Sequence, residues 1–129
     1  MKAIQVPTDC PCGSGLRYAN CCQPLHHGQA ANSAEALMRS RYSAYVLHLE
    51  PYLLATWHPD TRPDTLDLSQ DNTKWLGLQV LRAATTSPTT AIVEFIARYK
   101  VGGMRAERMR EISEFVYTDA WYYLNGQIS

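Results

Sequence analysis

The stretch VEFIARYKV, residues 93–101, puts Val93, Phe95, Ala97, Tyr99 and Val101 on one side of an extended chain and Glu94, Ile96, Arg98 and Lys100 on the other. That two-residue period is the mark of a strand with one buried face. Outward from it, WLGLQV (75–80) alternates in the same way, with Leu76, Leu78 and Val80 set against Gly77 and Gln79. SPTT at Ser87–Thr90 and the pair Gly102 and Gly103 have turn composition. After them, a long strand is expected from about Met104 to Tyr117, and a short one, WYYL, ends at Asn125 and Gly126. Four strands with no helix between them predict an antiparallel meander.

Upstream, the period lengthens. Asn32 reads as a helix N-cap with Glu35 as its capping-box partner, and Ala34, Leu37, Met38, Arg41, Tyr42, Tyr45 and Val46 follow at the spacing of an amphipathic helix. A second, shorter helix, PYLLATWH, opens on Pro51, which a first turn accepts, and is closed by Pro59. Residues 60–74 read as a loop with room for one helical turn. Helices followed by strands give an α+β fold, in which two to three helices pack on a curved four-stranded antiparallel sheet so that both apolar faces are buried.

The chain's 4 cysteines all fall in CPCGSGLRYANCC, residues 10–22. The N-terminal stretch MKAIQVPTDC lacks the pattern of a secretory signal, and no apolar run reaches the roughly 20 residues of a membrane span, so the expected place is the cytoplasm, with no membrane partner. Thiols are kept reduced there, which points to metal or redox chemistry before disulfides. Adjacent Cys21 and Cys22, or Cys10 with Cys12, would close only strained disulfide rings, and no CxxC opens a helix beside a βαβ unit. Four thiolates in two close pairs suit one tetrahedral Zn2+ held by Cys10, Cys12, Cys21 and Cys22, with Gly13, Ser14 and Gly15 turning the chain; redox and free-thiol readings rank below it. A set of four thiolates leaves no position for water, so the zinc is expected to be structural.

CPCGSGLRYANCC resembles the SEC-C motif, the zinc module named for the C-terminus of the SecA translocation motor. It matches at all four cysteines and at Pro11, Gly13, Ser14, Gly15 and the aromatic Tyr18, with Arg17 the one basic residue where the module usually carries lysines. LMRSRYSAYV, TWHPDTRP, WLGLQV, VEFIARY and WYYLNG resemble the YchJ family, which carries SEC-C motifs on a nuclear transport factor 2-like (NTF2-like) cone. The resemblance implies a division into residues 1–31, the zinc motif with a polar linker over Gln23–Ala31, and residues 32–129, the cone. It implies a binding or adaptor module with a protein partner reached through the zinc motif. His26 and His27 are read as solvated linker residues rather than ligands.

A second reading places a small-molecule site at the mouth of the cone, where Arg41, Tyr42 and Tyr45 would meet Trp57, His58 and Asp60. No catalytic residue is assigned, and His58 and Asp60 are the candidate bases of an isomerase, dehydratase or hydrolase. Arg41 on an apolar helix face calls for an internal acid or a bound anion. Glu94, Arg98, Arg108, Arg110 and Glu114 are expected to form cross-strand ion pairs, and the outer sheet face with Ile92 and Ile96 is a candidate homodimer surface. Twelve basic residues balance twelve acidic ones, which argues against a nucleic-acid partner despite Lys2 and Arg17.

Overall fold

A computed structural model describes residues 8–128; Lys2 lies outside them. Three helices, α1 (Gln23–His26), α2 (Ala34–Leu47) and α3 (Glu50–Ala55), precede four strands, β1 (Thr73–Ser87), β2 (Thr90–Val101), β3 (Glu107–Tyr117) and β4 (Trp121–Ile128). The strands form one antiparallel sheet in the order β1-β2-β3-β4, and the expected helical turn in the loop before β1 lies at Leu68–Gln70.

Bulges curve the sheet. Pairing of β1 with β2 shifts register between Trp75 and Gly77, between Val80 and Arg82 and between Thr85 and Ser87, and each extra residue bends the strand and tightens its twist. The first shift also reverses the phase read from the sequence: Trp75, Leu78 and Val80 pack on the core, whereas Leu76 is exposed. From β2, Ala91, Val93, Phe95 and Ala97 point inward and meet Leu37, Met38 and Tyr42 of α2 and Phe115 of β3.

Several boundaries differ from the sequence reading. Ser33, not Asn32, caps α2, because Ser33 holds the extended backbone a cap requires and its Oγ accepts from the Ala36 amide at 3.0 Å; Glu35 instead pairs with Arg39. Helix α3 stops at Ala55 because the next residues pair with β4: the Tyr123 amide donates to Thr56 O at 2.9 Å and the His58 amide to Tyr123 O at 2.8 Å. Strand β4 does not end at Asn125 and Gly126. Gly126 pairs with Ser113, and a side chain there would collide with the Glu111 carboxylate, so this glycine permits a close approach rather than a turn.

The stretch read as a linker contains α1, whose Leu25 is buried. Cys10, Cys12, Tyr18 and Cys22 belong to the same apolar core as Leu37, Tyr42 and Phe95. Helix α2 is accordingly buried on both sides instead of being amphipathic. Ser40 and Ser43, on its polar face, are as inaccessible as any residue in the chain. No helix among the described residues is long and apolar enough to cross a membrane.

Candidate metal centre and cone cavity

The cysteine pairs are brought together by a tight loop. Asp9 and Arg17 form a short antiparallel bridge, and the Cys10 amide donates to Leu16 O at 2.9 Å. Between them Gly13 and Gly15 take φ of 77° and 85°, the left-handed region that favours glycine. A Cβ on Gly13 would also stand 3.3 Å from the Leu78 carbonyl, so the loop lies directly against β1.

Within this loop the four Sγ atoms all lie within 4.8 Å of one another. Cys12 and Cys21 Sγ are 3.6 Å apart and Cys21 and Cys22 Sγ 3.9 Å. A disulfide would need about 2.0 Å, whereas four sulfurs at about 2.3 Å around a tetrahedral ion stand about 3.8 Å apart. The cluster therefore has the dimensions to hold a metal ion.

Helix α2 supplies the surroundings. Ser43 Oγ donates to Cys22 Sγ at 3.4 Å and lies 3.5 Å from Cys10 Sγ, while Arg39 Nη1 donates to Cys12 O at 3.0 Å. From within the loop, the Ser14 hydroxyl lies 3.2 Å from Cys21 Sγ. Hydrogen bonds from the thiols of Cys10 and Cys22 hold the Cys12 thiol far below its ordinary pKa. The same Cys10 interaction pushes Cys22 up, and burial pushes Cys21 up to about 11. A cation at the centre of the cluster would let all four thiols deprotonate.

His26 is not a solvated linker residue. Its Nε2–H donates to Ser40 O at 2.8 Å, which leaves Nδ1 to accept from the Tyr18 hydroxyl at 2.6 Å. The ring thus ties the cysteine loop to α2, without joining the cysteine cluster.

A second site lies between α2 and the concave sheet face, a cavity of about 270 Å³. Met38, Tyr42, Trp75, Phe95, Met109 and Phe115 give it apolar walls, and Arg41, Tyr45, Glu111, Ser113 and Tyr123 gather its polar groups. Arg41 is only 6% exposed. Its Nη1 donates to Leu53 O at 2.8 Å and to Thr56 Oγ1 at 2.7 Å, and its guanidinium lies 4.5 Å from the ring centre of Tyr123 and 5.0 Å from that of Trp57. Carbonyl, hydroxyl and aromatic faces thus hold the charge, and no carboxylate is within ion-pair distance of it among the described residues. Burial pulls the Arg41 pKa down and raises those of Tyr45 and Tyr123, the last to about 12, so both phenols keep their protons. Glu111 accepts a short hydrogen bond from Ser113 Oγ.

The structure therefore divides the residues read as a pocket. Arg41, Tyr42 and Tyr45 line the cavity, and Trp57 backs Arg41 without lining it. His58 and Asp60 stand elsewhere, because pairing of the Thr56–His58 segment with β4 carries them away: the His58 ring packs against Tyr122, the neighbour of inward-facing Tyr123, and the Asp60 side chain is 81% exposed. The internal acid expected to meet Arg41 is not found among the described residues: Glu111 borders the same cavity but forms no ion pair with it, because Leu53 O, Thr56 Oγ1 and two aromatic faces already hold the guanidinium. The signal of Glu111 in the sequence is the alternation Met109, Glu111, Ser113, Phe115, an inward stripe of β3 carrying one carboxylate. On the outer face the expected cross-strand pairing occurs as Glu94 with Arg110 and Arg82, while Arg98 faces Arg108.

Residues 33–126 match the family model described as YchJ, middle NTF2-like domain, and residues 9–24 match the SEC-C motif. A UPF0225 protein of Xanthomonas campestris is 55% identical over 124 residues, covering 94% of this chain and 96% of that one. A UPF0225 protein of Ralstonia nicotianae is 50% identical over 144 residues, with 99% of each chain covered. The solution structure of RPA3114, a SEC-C motif containing protein from Rhodopseudomonas palustris, superposes with a TM-score of 0.82 at 37% identity, covering 93% of this chain and 98% of that one.

Proposed function

The chain belongs to the YchJ family, and from that premise we propose that it is a zinc protein whose metal is structural and whose SEC-C segment is a binding module for a protein partner. The observation that carries this reading is the set of four Sγ atoms within 4.8 Å of one another, three of their residues buried in the core. An all-thiolate tetrahedral site is the preference of zinc among common ions and has no open position for substrate. A reducing cytoplasm keeps such thiols available to the metal.

The ion fixes the loop that joins the two cysteine pairs. At its tip Leu16 is 53% exposed, beside exposed Arg17, a contact suited to a partner segment with an apolar side chain next to a carboxylate. Native mass spectrometry of the purified chain should show one zinc, lost on thiol alkylation and absent in Cys12→Ser. A metal-free, fully folded wild-type protein would overturn the reading. For the partner, a photo-crosslinker at position 16 should trap one protein in the zinc-loaded chain and not in Cys12→Ser.

Arg41 favours a second role, the binding of a small organic molecule in the cone. Two of the five N–H groups of a guanidinium are used by Leu53 and Thr56, and the side chain borders a cavity with aromatic walls. With His58 and Asp60 outside the cavity, this role is binding rather than proton transfer.

A further inference from the structure

We propose that the cone takes a net-neutral molecule with a single-ring-sized apolar body and a carboxamide-like head, its carbonyl on Arg41 and its N–H on Glu111. The inference rests on the ligand-binding reading above and names the class of ligand.

The charges set the head group. Arg41 and Glu111 border the same cavity, yet no ion pair joins them among the described residues. Each charge therefore stays uncompensated by the other on a shared cavity wall, where low dielectric makes its interaction with a bound group stronger than in water. An anionic head would satisfy Arg41 and meet repulsion from Glu111, and a cationic head would do the reverse. A neutral head that accepts at one edge and donates at the other satisfies both without bringing a charge out of water. Tyr45 and Tyr123 at the same end are protonated phenols, able to donate or accept beside it.

The walls set the body. Tyr42 and Trp75 meet edge to face with ring centres 5.8 Å apart, and Phe95 and Phe115 complete an aromatic lining. At about 270 Å³, the space is at the lower limit of ligand pockets, which run from roughly 300 to 1,000 Å³. That size admits one ring with a short head and excludes a nucleotide.

The test is an NMR titration of the full zinc-loaded chain, read at the methyl groups of Met38 and Met109, with benzamide, benzoate and benzylammonium, three probes that share a ring and differ in head charge. Benzamide should shift both methyls and bind at least about tenfold tighter than either charged probe, a margin equal to one decade in Kd. Arg41→Met removes a buried anchor of the fold, so Glu111→Gln is the variant of choice. Removing the carboxylate charge should shrink the preference over benzoate by about tenfold while benzamide still binds. If none of the probes moves the two methyls, the ligand-binding reading fails and takes this inference with it. Should benzoate or benzylammonium bind as well as benzamide, the cavity is a ligand site but the class proposed here is wrong. A preference unchanged in Glu111→Gln would remove Glu111 from the site.

Discussion

Helix α2 serves two sites on opposite sides. At 100° per residue, Arg39 and Ser43 face the cysteine loop, with Ser40 beside them against His26 and Tyr52, whereas Met38, Arg41, Tyr42 and Tyr45 fall on the far side and line the cavity. The cysteine cluster gathers four Sγ atoms within 4.8 Å of one another and, on the zinc reading proposed above, is neutralised by a cation from outside. The cavity holds a positive charge that the fold itself neutralises in part, through Leu53 O, Thr56 Oγ1 and the rings of Trp57 and Tyr123. On that reading, one site is completed by an ion, whereas the other is formed by the fold alone. Their responses to perturbation should differ accordingly.

The largest difference should come from removing the metal. Structural zinc contributes about 10–16 kcal/mol in zinc-finger peptides, and here Cys10, Cys12 and Cys22 are part of the main core rather than of a detached module. Stripping the ion by chelation, or by Cys12→Ser, is expected to cost the whole chain at least about 5 kcal/mol, the lower end of ordinary domain stability. Calorimetry should show one transition moving down. A single transition unmoved by complete zinc loss would break the idea that the cage and the cone share a core.

Next in size is Arg41→Met. It removes two hydrogen bonds and two aromatic contacts from a buried charge and leaves Leu53 O without that donor. The expected cost is about 2–4 kcal/mol in denaturant unfolding. Arg41→Lys should recover only part of it, because an ammonium lacks the planar fork that stacks on Tyr123 while bonding Thr56. A full rescue by lysine would show that charge alone matters at this position.

The contrast between the two sites also explains what the sequence discloses. All four cysteines lie between Cys10 and Cys22, so their convergence depends on one local loop, and the alternation from Val93 onward identifies the strands. The cavity draws residues from α2 and all four strands, and which of them point inward depends on bulges such as the one that turns Leu76 outward. His58 leaves the site because tertiary pairing with Tyr123 overrides the helical pattern of PYLLATWH. Ser40 and Ser43 look like a solvent face until His26 and Tyr52 cover the first and the cysteine loop the second. His26 was hidden for the same reason: a histidine in a short polar stretch carries no periodic signal, and its partners, Tyr18 and Ser40, belong to different elements.

That histidine gives the third prediction. Burial holds the folded His26 pKa below its ordinary value, so on acidification the unfolded chain binds the proton first, from about pH 6.5 downward. Stability is therefore fully present above that pH and is lost as pH falls through it. His26→Gln should lower stability by about 1 kcal/mol at pH 8, through loss of the ring's contacts with Tyr18, Tyr52 and Ser40. The gap between variant and wild type in thermal midpoint should narrow from pH 8 to pH 5.5. Proton competition for the cysteines is common to both proteins and cancels in that difference; a gap that widens on acidification would mean that the folded ring gains a proton and donates from both nitrogens.

The smallest effect is expected on the outer sheet face, where Glu94 accepts from Arg110 Nε at 2.8 Å and lies 3.6 Å from Arg82 Nε. The two arginine side chains are 53% and 56% exposed, so water and salt screen the pairs. Glu94→Gln should cost about 0.5–1 kcal/mol at low salt, and most of that should vanish at 1 M salt, where the screening length is about 3 Å. The cost of Arg41→Met should hardly change over the same range, because ions do not reach a guanidinium buried beneath Trp57 and Tyr123. Equal salt sensitivity of the two variants would mean that the cone admits bulk solvent. The charge at Arg41 would then be a surface charge, and the distinction between a site completed by its ligand and one formed by the fold would no longer hold.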